Sequence, residues 1–184
     1  NARHENMPND KINKAVQKAR SSEEGSNYEE IKYEGIGNNG ISLIIETLTD
    51  NRNRTASEIR SILNKNNGNL GESGSVTFNF EKLGEITYKE TNISNDDFFE
   101  ISVENGATDV IEKDKMLIAL CSHEVFGKLR DSLENKFGEP LKAKLIWKAI
   151  NFINADENIK NKIMKTIDLL EDNDDVQNVY TNVK

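Results

Sequence analysis

The sequence predicts an α+β fold built from small units, on three observations. Segments of period two and segments of period 3.6 follow one another without regular strand–helix–strand alternation, so a doubly wound parallel sheet does not fit. Glycine-rich connections join neighbouring strands in the manner of hairpins. The 184 residues, 35% of them hydrophobic, suffice for one domain or two small ones. No apolar run approaches the ~20 residues that a membrane-spanning helix needs. Cys121 is the only cysteine, which excludes a disulfide scaffold.

The elements follow in order. Residues 9–22 read as a helix: Pro8 suits a first turn, Ile12, Ala15, Val16 and Ala19 form an apolar stripe, and Gly25 supplies a stop. Its cations, among them Lys14, Lys18 and Arg20, lie largely off that stripe, as on a solvated face. Tyr28–Glu34 alternates in part, and Ile41–Leu48 is apolar and β-rich. Between them, Gly35-Ile36-Gly37-Asn38-Asn39-Gly40 matches the dinucleotide-binding glycine pattern literally. That pattern has physical meaning only where a helix N-terminus follows to receive the pyrophosphate. Here a strand follows, so the glycines are expected to serve a hairpin that needs positive φ.

Thr55-Ala56-Ser57-Glu58 has the form of a capping box. The helix after it buries Ile59, Ile62 and Leu63 and stops at Asn67-Gly68. Val76, Phe78 and Phe80 alternate as in a half-buried strand, and a second strand covers Leu83–Tyr88. Ser94 caps a helix reaching about Asn105, with Phe98, Ile101 and Val103 facing inward and Gly106 as the stop. Thr108–Ile111 and Met116–Cys121 are strands joined near Asp114. Glu124–Phe137 is helical, with Val125, Phe126, Leu129, Leu133 and Phe137 on one face and Gly138 beyond. Leu141–Trp147 alternates again, Asp156–Asp172 is a long helix, and Val176–Thr181 closes the chain as a strand.

The chemistry of catalysis is absent from this pattern. His4 and His123 are the only histidines, and His123-Glu124 lacks the second His of a zinc-protease helix. Cys121 ends an apolar strand, where a thiol serves as a small hydrophobe. Glu171, Asp172, Asp174 and Asp175 lack the glycine and twelve-residue register of a calcium loop. No enzyme, cofactor, catalytic residue or metal site is expected. One polar tract has two readings. Arg52 and Arg54, with Arg60 and Lys65 on the helix that follows, could grip phosphate together with helix N-terminal N–H groups. Alternatively, Asp50 and Glu58 pair with the arginines and fix a strand-to-helix turn.

Several tracts carry a resemblance. Asn6-Met7-Pro8, Tyr33-Glu34-Gly35, Glu46 through Thr55, Gly68-Asn69-Leu70-Gly71, Gly74-Ser75-Val76 and Leu170-Glu171-Asp172 with Asp174 through Tyr180 resemble, in order and over the whole length, the YebC/PmpR family. The resemblance implies three domains: the remainder of a helical N-terminal domain at 1–24, a discontinuous α+β domain at 25–86 and 149–184, and an inserted α+β domain at 87–148. Two departures stand out. The basic leader around a Gly-His-Ser-Lys-Trp type motif is missing, and the chain opens on Asn1, so processing or an absent N-terminal stretch is expected. Lys148-Ala149-Ile150-Asn151 stands where relatives often carry a proline.

The resemblance implies a non-enzymatic regulator of gene expression. Bacterial members are described as DNA-binding transcriptional regulators of the cytoplasm. Mitochondrial and some bacterial relatives look like translational activators acting at the ribosome and its rRNA, including at proline-rich stretches. The partners expected are therefore DNA or the ribosome, with Arg52, Arg54, Arg60, Lys65, Lys14, Lys18 and Arg20 as candidate contacts and a monomeric chain. From another class comes an acidic interaction module in which Glu171, Asp172, Asp174 and Asp175, together with Asp96 and Asp97, dock a basic protein partner. The formal net charge of −8 excludes a uniformly basic coat protein. Residues 1–24 nevertheless hold five Lys or Arg against four Asp or Glu, so binding through one end of the molecule stays open.

Overall fold

The computed structural model describes residues 28–91 and 93–184. The helix expected over 9–22 and the domain expected over 1–24 lie outside the described residues. The chain forms two compact units, divided at Val76/Thr77 and again at Ile153/Asn154. Each is a four-stranded antiparallel sheet with two helices, an α+β arrangement.

In the first unit, β1 (Glu29–Ile36) and β2 (Ser42–Thr49) form the expected hairpin, from Glu29 opposite Thr49 to Ile36 opposite Ser42. Their connection closes with the Gly37 N–H donating to the Ile41 carbonyl at 2.7 Å, and it places Asn39 at φ 60° and Gly40 at φ 77°. The glycine pattern thus belongs to a hairpin. Helix α1 (Arg52–Lys65) follows, then the short β3 (Asn69–Leu70). After the second unit the chain returns with α4 (Glu157–Glu171) and β8 (Val176–Thr181). The sheet order is β3-β1-β2-β8, with a register shift between Glu46 and Thr47 where β2 meets β8.

A Cβ placed on Gly35 would meet Leu63 and Ile45, and one on Gly37 would meet Ile163 and Leu43. Leu43 and Ile45 therefore face α1 and α4. These residues, with Ile59, Leu63, Ile163 and Leu170, are fully or almost fully buried. The periodicity of α1 places Thr55, Ile59 and Leu63 on that face. Asn67, at φ 58°, takes the left-handed position after α1, and the Gly68 N–H reaches the Leu63 carbonyl at 2.9 Å. A Cβ on Gly68 would lie 2.6 Å from the Ile36 carbonyl oxygen. Close backbone approach, not helix termination alone, requires that glycine.

The second unit runs β4 (Phe80–Lys89), α2 (Asn95–Glu104), β5 (Ala107–Lys113), β6 (Met116–Ser122), α3 (Phe126–Phe137) and β7 (Lys142–Ala149). The order β5-β6-β4-β7 with antiparallel neighbours is two interleaved split β-α-β units, the ferredoxin-like arrangement. Asp114 and Lys115, both at positive φ, make the tight β5–β6 turn. Ile86, Phe98, Leu117, Leu129 and Leu133 form the core. Within it Tyr88, Phe98 and Phe137 pack with ring centroids 5.8–6.0 Å apart.

Four expectations change. The strand expected from Val76 begins at Phe80, because Thr77–Asn79 is a 3-10 turn that leaves Phe78 66% exposed. Val103, expected inward, is 49% exposed, and Ser102 takes the buried position. The cap of α1 is Asn51, whose side chain accepts from the Arg54 N–H, so the helix begins a turn earlier than a capping box at Thr55 implies. Finally, β4 pairs with β6 and β7 from Phe80 onward. Residues 77–86 and 149–153 accordingly belong to the second unit, whereas the expected boundaries were 86/87 and 148/149.

Candidate nucleic-acid interface

The tract from Thr49 to Thr55 is the turn from β2 into α1, and its geometry is set by one buried carboxylate from the far end of the chain. Asp175, 3% exposed, places Oδ2 2.8 Å from Arg54 Nη2, 2.7 Å from Thr55 Oγ1 and 3.1 Å from Thr49 Oγ1. Arg54 Nη2 also donates to Asp50 Oδ1 at 2.9 Å. The Asp175 carbonyl accepts from the Leu48 N–H at 2.8 Å, and its own N–H donates to Asn173 Oδ1 at 2.9 Å. Asn173 in turn donates to Glu58 Oε2 at 2.6 Å. The hydrogen bond to Asp175 holds the Arg54 guanidinium even more firmly protonated than usual. The Tyr33 hydroxyl donates to the Arg52 carbonyl at 3.0 Å, and burial raises its pKa while the Arg52 charge opposes that shift.

A second knot ties down the loop after β3. Glu34, 2% exposed, accepts from the Gly74 N–H at 2.9 Å and the Val76 N–H at 2.8 Å. Lys32 Nζ lies 3.0 Å from the same carboxylate, and the Gly71 N–H reaches the Glu34 carbonyl at 2.7 Å. Glu34 alternates with Gly35 along β1, so the loop crosses the sheet face opposite α1. Both knots join segments far apart in sequence, and both spend their charged groups internally.

The family model described as the second and third domain of TACO1/YebC matches residues 28–183, almost everything described above. The chain belongs to the TACO1/YebC family. A solved structure, the conserved hypothetical protein Aq1575 of Aquifex aeolicus, is 35% identical to it with a TM-score of 0.80. That match covers 100% of this chain and 76% of the Aquifex chain. The YebC-like fold and the transcription-regulator type of family are thus shown together.

In this TACO1/YebC chain the tracts that carry the resemblance meet in space: Tyr33-Glu34-Gly35 with Gly74-Ser75-Val76, and Thr49 through Thr55 with Asp175. For Arg54 the structure supports the turn reading, through Asp50 and Asp175. Glu58 does not join that pairing and binds Asn173 instead. Arg52, Arg60 and Lys65 are exposed on α1, without an ion pair among the described residues. Lys14, Lys18 and Arg20 lie outside the described residues. Of the acidic set, Glu171, Asp172 and Asp174 are exposed, whereas Asp175 is interior and unable to face a partner. The sequence reading missed Glu34 and the central place of Asp175. Nothing local distinguishes either from its solvated neighbours.

Among the described residues no three His, Cys, Asp or Glu side chains are grouped to hold a metal ion. Cys121 is buried, and burial raises its thiol pKa, so it stays protonated. Among the described residues, no helix is long and apolar enough to cross a membrane.

Proposed function

We propose that this chain is a non-catalytic regulator of gene expression that contacts nucleic acid through the outer surface of α1. Family membership supports the class, and one observation carries the site: α1 holds four Arg or Lys against the single Glu58. Three of those four project into solvent, while Arg54 is occupied by the turn. From Arg52 to Lys65 the helix advances about 20 Å, so the cations are spaced along it rather than converging on one point. Spacing of that kind suits a run of backbone phosphates better than a small anion. A protein with this role needs a shaped, locally basic surface.

The test compares the full chain with Arg52→Ala/Arg60→Ala/Lys65→Ala in two assays, retention of promoter DNA and co-sedimentation with ribosomes, each over a salt series. The variant should weaken binding in one assay and lower the salt slope by about three, roughly one per lost phosphate contact. Retention of DNA identifies a transcriptional role, and co-sedimentation a translational one. Unchanged binding and slope in both assays would overturn the α1 assignment.

A further inference from the structure

Helix α2 of the second unit is the electrostatic opposite of α1. Between Lys89 and Lys113 the chain holds seven Asp or Glu and no Lys or Arg. Four of these, Asp96, Asp97, Glu100 and Glu104, lie on α2 itself, and none forms an ion pair among the described residues. The helix also turns two large apolar side chains outward. Phe98 and Ser102 are fully buried, yet Phe99 and Val103 are 56% and 49% exposed. At 3.6 residues per turn, Asp96, Phe99 and Val103 follow one line, and Glu100 and Glu104 follow the line beside it. The result is an apolar ridge one turn long with a carboxylate border.

We propose that this ridge docks a cationic amphipathic helix of a partner protein, whose apolar side chains meet Phe99 and Val103 while its Lys or Arg heads meet Asp96, Glu100 and Glu104. Charge complementarity selects this occupant. Nucleic acid would bring its phosphates against unneutralised carboxylates. A second copy joined through the same face would oppose like charges, and α1 offers cations with no large exposed apolar residue beside them. Helix-against-helix recognition through anchors at i and i+4 is an established mode of peptide binding. The inference is independent of the α1 reading, since it uses a different unit and a different charge.

The experiment is titration of the full chain into a fluorescently labelled Leu/Lys peptide of about five helical turns, followed by anisotropy. A second peptide keeps every Lys and replaces each Leu by Ser. The leucine peptide should bind, and Phe99→Ala/Val103→Ala and Glu100→Gln/Glu104→Gln should each weaken binding at least about tenfold. All four substituted side chains are exposed, so the fold persists. Nucleic-acid retention by both variants should be unchanged, which separates this outcome from failure of the α1 reading. Equal affinity for the two peptides, or unaltered binding by either variant, would overturn the proposal. Loss of binding on Glu171→Gln/Asp172→Asn would overturn it too, by placing the contact at the other acidic segment.

Discussion

The two units have the same layer plan, one four-stranded sheet and two helices, but they are held together differently. Of the buried polar residues described, eight lie in the first unit and two, Thr87 and Ser102, in the second. The first unit is assembled from two stretches of chain, and its late segment must find β2 and α1 across more than a hundred residues. It does so with directional bonds: Asp175 into the β2–α1 turn, and Asn182 Oδ1 accepting from the Ser42 N–H at 2.8 Å. The second unit is continuous in sequence, and its core is apolar and aromatic. The lesson is that packing suffices where the chain itself brings elements together, whereas a distant segment is positioned by bonds that tolerate only one register.

The contrast can be broken from either side. The largest effect belongs to Phe98→Ala, which empties the aromatic cluster and should cost the second unit about 4 kcal/mol. Trp147, the only tryptophan, lies in that unit, so urea unfolding followed by its fluorescence reads the loss. Asp175→Ala should cost the first unit about 3 kcal/mol, because Arg54 loses its buried partner and two threonine hydroxyls lose their acceptor. Hydrogen exchange of residues 42–49 measures that loss, and an unaltered exchange rate would remove Asp175 from its organising place.

Each unit holds a tyrosine whose pKa burial raises, and the larger shift lies in the second. Burial, with Glu134 adding to it, raises the Tyr88 phenol to about 12, and its hydroxyl donates to the Gly138 carbonyl at 2.8 Å. The folded state therefore holds the proton more tightly than the unfolded one. The stabilisation is complete below the ordinary value near 10 and disappears as pH rises through 12, with about 2 kcal/mol at stake. Tyr88→Phe should remove the Tyr88 share of this alkaline loss, leaving in the second unit only what the buried Cys121 thiol contributes. The smallest effect is that of Arg52→Ala, an exposed side chain, which should change the stability of the first unit by less than about 0.5 kcal/mol even where it weakens nucleic-acid binding.

Much of the architecture is legible in the sequence because its signals are local. Gly37 through Gly40 mark the hairpin, Ser94 caps its helix as read, and Gly138 ends α3 at φ 82°. What is not legible depends on distant partners. Val76, Phe78 and Phe80 alternate convincingly, yet β4 finds its partners only from Phe80 onward, which also moves the boundary between the units. Thr55 and Glu58 have the form of a capping box, but Asn51 caps the helix and Thr55 turns inward to Asp175. Asp175 sits in a run of carboxylates that looks uniformly solvated, and only the approach of β8 to β2 makes it interior. Among the asparagines, Asn39 and Asn67 occupy left-handed positions, and Asn51 and Asn173 hold the turn around Arg54 through bonds that no local pattern announces.

The pairing of β4 with β7 also bears on how the molecule assembles. Phe80 lies opposite Ala149, and the Ile150 N–H donates to the Asn79 carbonyl at 2.9 Å. The second unit, residues 77–153, thus starts and finishes at one spot. Once folded it acts as a short clasp instead of a long floating loop, and the closure entropy facing the first unit drops by about 2 kcal/mol. Folding of the inserted unit therefore shortens the loop across which α4 and β8 must reach β2 and α1.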